Sequence, residues 1–65
     1  MSMSIKGFWT TEFLVKICAS VKRVMERYEV SESEAIITVA DIMDRTETEI
    51  TAAIAEARLM DIIDW

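Results

Sequence analysis

The sequence predicts an all-α fold: a single small domain over residues 1–65, built from three helices. Three observations carry that expectation. The chain has no proline and one glycine, Gly7, so nothing over residues 8–65 forces a break. Two stretches, "SESE" at 31–34 and "TETE" at 46–49, have the Ser/Thr-x-x-Glu spacing that starts helices. Between and after them the apolar residues recur at three- and four-residue intervals.

Residues 1–9 form an N-terminal segment, and the first helix is expected over about residues 10–28. Thr10 or Thr11 is placed to cap it, with Glu12 in the first turn facing the positive end of the helix dipole. Phe13, Leu14, Ile17, Cys18, Val21, Val24, Met25 and Tyr28 then follow helical spacing as one broad apolar stripe. Lys16, Lys22, Arg23, Glu26 and Arg27 fall mostly off it.

The second helix is expected over about 32–44. Ser31 and Glu34 form the first capping box, with Val30 and Ala35 placed as a hydrophobic staple. Ile36, Val39, Ala40 and Met43 supply the buried face. The β-branched run "IITV" at 36–39 leaves a competing possibility, a short strand followed by a helix that starts after Thr38. The third helix, over about 47–60, starts at the box of Thr46 and Glu49 and buries Ile50, Ala53, Ile54 and Ala57. The end, "LMDIIDW", fits either a continued helix or a short C-terminal strand.

Composition narrows the function. A chain of 65 residues buries only about 60% of its unfolded surface. No second cysteine is present for a disulfide, and there is no histidine. Yet 52% of the residues are apolar. That surplus predicts burial against a second copy or another protein, with Phe8, Trp9, Leu59, Ile62, Ile63 and Trp65 as the self-association or partner surface. A homodimer is the expected state. Cys18 lies on an apolar stripe without a base beside it and reads as core. Asp41 and Asp44, like Asp61 and Asp64, stand one helical turn apart without the loop ligands and glycine of a calcium site. The expectation is therefore a protein without catalysis, metal or cofactor.

A single cysteine suits a reducing compartment. "MSMSIKGFW" has no apolar core of signal-peptide length, and no run reaches the roughly 18 apolar residues of a membrane span. A cytoplasmic protein is expected. Phe8, Trp9 and Phe13 stand near Lys6, Lys16, Lys22 and Arg23, as in a membrane-surface helix. Glu12, Glu26 and Glu29 dilute that positive face, and a core helix with a mixed-charge outer side is the preferred reading.

Charge is uneven. Residues 1–30 carry five basic and three acidic side chains; residues 31–65 carry two basic and nine acidic, for a net charge of −5. The acidic half contains "VADIMDRTETEITAAI", 39–54, which resembles the helix-turn-helix of phage repressors. Val39, Ala40, Met43 and Ile50 fill the family's apolar and small positions, while Asp44 stands where glycine is usual. The tail resembles a truncated winged helix: Ile50, Ile54 and Ala57 match its helix, Ile62 and Ile63 its strand, and Asp61 again takes a glycine place. The resemblance covers about half the chain and implies DNA reading by the exposed start of the third helix. The matching positions are Thr46, Glu47, Thr48, Thr51, Ala52 and Ala55, none of them basic. Duplex affinity comes chiefly from phosphate neutralisation by Lys and Arg, so this surface is the wrong sign for nucleic acid.

The functional expectation is a small acidic protein that works by stoichiometric contact with another protein, of the kind found among phage and bacterial regulators and inhibitors. Asp44, Glu47, Glu49 and Glu56 form the acidic face for a partner with a basic surface. The alternatives are a helix-turn-helix transcriptional regulator, and a purely structural helical oligomer.

Overall fold

The structure, a computed structural model, describes residues 10–65. Three helices form among them: α1 (Thr11–Tyr28), α2 (Glu32–Met43) and α3 (Glu47–Leu59). Phe8 and Trp9 lie outside the described residues.

Each helix starts as its cap dictates. Thr10 Oγ1 accepts from the Phe13 amide at 3.1 Å, so Thr10 rather than Thr11 caps α1. At α2, Ser31 Oγ accepts from the Glu34 amide at 3.3 Å, and only this half of the expected box is made. At α3 the box is complete: Glu49 donates its amide to Thr46 Oγ1 at 3.1 Å, and the Thr46 amide donates to the Glu49 carboxylate at 3.0 Å. Each satisfied amide removes one of the orphan donors of a first turn.

Each helix is followed by an acid in the left-handed conformation, directly after α1 and α2 and one residue past the Met60 cap of α3. Glu29, Asp44 and Asp61 have φ of 54°, 57° and 59°. The residue after each donates back across the turn: Val30 to the Met25 carbonyl at 3.2 Å, Arg45 to Ala40 at 2.8 Å, Ile62 to Ala57 at 2.9 Å. This six-to-one bond defines a Schellman turn, where glycine is the usual left-handed residue because it has no Cβ to clash. Asp tolerates that region through its short polar side chain, as the glycine-place aspartates of the sequence require. Glu29 has no such advantage.

The "IITV" run is helical. Ile36 and Val39 are buried, and Thr38 Oγ1 donates to the Glu34 carbonyl at 3.2 Å. Packing overrides the β preference, and the hydroxyl finds an acceptor one turn back. Residues 60–65 form no strand and do not continue the helix. The chain turns at Asp61 and folds back, so Ile62, Ile63 and Trp65 pack partly buried against the core.

All three helix pairs pack together. Leu14, Ile17, Val21, Ile50 and Ile54 are at most 1% exposed at the centre. Ala35, Ala40, Ala53 and Ala57 are also buried in this core. Of the stripe foreseen for α1, Leu14, Ile17, Cys18, Val21 and Val24 are buried, Phe13 and Met25 are partly buried, and Tyr28 is 61% exposed.

Candidate functional site

The short link between α2 and α3 is Asp44–Arg45–Thr46, bounded by Met43 and Glu47. It places Asp41, Asp44 and Glu47 on the surface, all exposed. Helix spacing sets Asp41 one turn before Asp44, and Glu47 is the first residue of α3. None of the three makes an ion pair with a described residue. Arg45, the cation nearest in sequence, is half-buried. Its guanidinium stands 4.8 Å over the Phe13 ring and 3.6 Å from the Glu49 carboxylate. The edge is therefore acidic: its three carboxylates stand beside a cation that is already paired with Glu49.

This divides the four acids expected to act together. Asp44 and Glu47 lie on the edge. Glu49 is engaged by its capping box and by Arg45, and Glu56 is half-buried further along α3. Asp41 joins the edge in their place. A shallow hollow beside it is lined in part by Asp41, Arg45, Glu47 and Thr48.

The second surface lies between α1 and α2. An open groove of about 640 Å³ runs between Arg23, Val24, Arg27 and Tyr28 on one bank and Glu34, Ile37, Thr38 and Ile42 on the other, with Val30 at its end. Tyr28, Ile37 and Ile42 are 61%, 50% and 71% exposed. Large exposed apolar side chains gathered in one place mark contact surfaces more often than scattered ones do. Sequence reading placed the apolar surplus elsewhere. The signal was present: Ile37 and Ile42 both fall off the buried stripe of α2.

The third feature is the tail. Ile62, Ile63 and Trp65, expected as exposed surface, instead line a small hollow over Val15, Cys18, Ala19 and Lys22 of α1. Folding back packs them, partly buried, against the core, whereas Leu59 of the same expected surface is 84% exposed. Arg58 holds the tail. Its Nε donates to the Trp65 carbonyl at 2.7 Å, its guanidinium lies 5.7 Å from the Trp65 ring, and it pairs with Glu32 on α2 at 2.9 Å. Beneath the tail Cys18 is buried, which pushes its thiol above the ordinary value; the charge of Arg58 opposes this shift and Glu32 adds to it. Among the described residues, no group of acidic or sulfur side chains is gathered to hold a metal ion, and no helix is long and apolar enough to cross a membrane.

No family model matches the chain, and neither a curated protein nor a solved structure matches it.

Proposed function

We propose that this protein acts by stoichiometric, non-catalytic contact with another protein, and that the α2–α3 edge of Asp41, Asp44 and Glu47 meets a basic surface on that partner. One observation carries the reading: three exposed carboxylates share an edge whose neighbouring cation, Arg45, is already engaged by Phe13 and Glu49. Uncompensated charge of one sign steers a partner of the opposite sign and accelerates encounter more than it deepens affinity. The net charge of −5 acts in the same direction.

The test uses a photo-crosslinking residue at Thr48, exposed on the same edge, in extract of the source cells. The expected product is a one-to-one adduct with a basic protein, lost in Asp44→Lys/Glu47→Lys and weakened as salt rises. An adduct indifferent to both the charge reversal and salt would refute the reading. The competing reading, a helix-turn-helix regulator, rests on the short α2–α3 link and the exposed start of α3. It requires phosphate contacts that Glu47, Thr48, Thr51, Ala52 and Ala55 do not supply. Sequence-selective gel retardation that weakens steeply with salt would favour it over protein contact.

A further inference from the structure

We propose that the groove between α1 and α2 binds the same groove of a second copy, in a two-fold dimer that sets α1 of each chain over α2 of the other. This goes beyond the acidic edge, which adjoins the groove: Ile37 and Thr38 line both the groove and the hollow beside that edge.

The argument starts from what the groove contains. Tyr28, Ile37 and Ile42 leave more than half of their surfaces, or half in the case of Ile37, in contact with water. A partner that covers them must be apolar at its centre. The banks carry opposite charge. Arg23 and Arg27 stand on the α1 side, Glu34 on the α2 side. A surface with an apolar middle, a positive bank and a negative bank is complementary to itself, which an isologous two-fold contact requires.

The same pattern selects between the two ways of stacking such grooves. A two-fold axis across the helices would set α1 over α1, and would bring Arg23 and Arg27 against their own copies. An axis along the groove sets α1 over α2 and brings the guanidiniums against Glu34 of the second copy. Like charges face each other in the first and opposite charges in the second, so electrostatics chooses the second. Arg is well suited to this task, since its fork can engage a carboxylate while its stem lies on apolar surface. The tail cannot supply the contact, because Ile62, Ile63 and Trp65 are already packed on their own chain.

The experiment is sedimentation equilibrium of the full chain, with helix content followed by circular dichroism. The wild type is expected at twice the 7.4 kDa chain mass. Ile42→Asp, at a position outside the core, is expected to sediment as a monomer with its helix content retained. Leu59→Asp, at a still more exposed position off the groove, is expected to remain a dimer. The decisive arm uses charge. Arg27→Glu alone and Glu34→Arg alone each put like charges across the contact, and each is expected to be monomeric. Mixed in equal amounts, the two variants restore both opposed pairs and are expected to recover the dimer mass. A monomeric wild type, a dimer indifferent to Ile42→Asp, or a dimer lost in Leu59→Asp overturns the proposal. So does a mixture that stays monomeric. The cross-linking assay of the acidic edge reads a different partner, a basic protein, and leaves the groove residues unchanged, so its failure is told apart from failure of the dimer.

Discussion

Replacing Glu29 with glycine should make the protein more stable, by about 1 kcal/mol. Glu29 ends α1 at φ 54° and ψ 48°. For a residue with a Cβ, the left-handed conformation costs roughly 1–2 kcal/mol, and Glu lacks the local hydrogen bonding that eases it for Asp and Asn. Its carboxylate also stands at the negative end of the α1 dipole, which is unfavourable by about 0.3–1 kcal/mol at an exposed site. Against both gains, glycine widens the unfolded ensemble and returns roughly 0.5–1 kcal/mol. Nothing else is lost. The Glu29 side chain is exposed and makes no hydrogen bond or ion pair with a described residue, while its amide still reaches the Met25 carbonyl. Glu29→Ala is the control that removes the charge and keeps the Cβ. Urea unfolding at one fixed protein concentration measures all three chains, since self-association would otherwise shift the midpoint. The expected order is Gly above Ala, with the denaturant slope unchanged. In melting temperature, 1 kcal/mol is about 4–8 °C for a domain of this size. If Glu29→Gly is no more stable than Glu29→Ala, the left-handed Schellman end assigned to α1 is wrong.

Ile50 is fully buried among all three helices, so Ile50→Ala should cost roughly 2–5 kcal/mol and leave little folded protein at ordinary temperature; an unchanged melting curve would contradict the packing. Arg58→Met should cost about 1 kcal/mol, because the Glu32 pair is well exposed and most of the loss comes from the Trp65 contact. Arg58→Lys restores the charge but not the fork that reaches Glu32 and Trp65 together, so full recovery of the unfolding midpoint in that variant would remove the strap from the account. The chain should show no useful affinity for duplex DNA at physiological salt, since α3 presents Glu47 where phosphate contacts need cations, and a gel shift with genomic fragments reads this directly.

The helices were legible because their boundaries are written in short-range chemistry. Thr10, Ser31 and Thr46 each sit where a side-chain oxygen can reach an amide three residues on. The buried faces followed from spacing, with Leu14, Ile17, Val21, Ile50 and Ile54 all at the centre. The tail was not legible. "LMDIIDW" has no cap and is too short for a period, and its path is set by Arg58, whose partners Glu32 and Trp65 are distant in sequence or beyond the helix. The acidic edge was half legible. Charge alone grouped Glu49 and Glu56 with Asp44 and Glu47, but only the fold shows that Glu49 is held by its cap and by Arg45. The groove was missed because apolar residues were counted toward the core first. Ile37 and Ile42 become visible as a surface only once the α2 stripe is fixed by Ile36, Val39 and Ala40.

The folded-back tail also gives the molecule a clock. Cys18 lies under Ile62, Ile63 and Trp65, and burial disfavours the thiolate through which it would react. A thiol reagent can therefore reach it by two routes: the tail lifts from α1, or the whole domain opens. The two routes differ in how much surface they expose, so they differ in how strongly dilute denaturant accelerates them. A labelling rate insensitive to denaturant reports the hatch; one that rises with the full unfolding slope reports the house. The only cysteine of the chain thus separates the stability of its last few residues from that of its core, with no probe added.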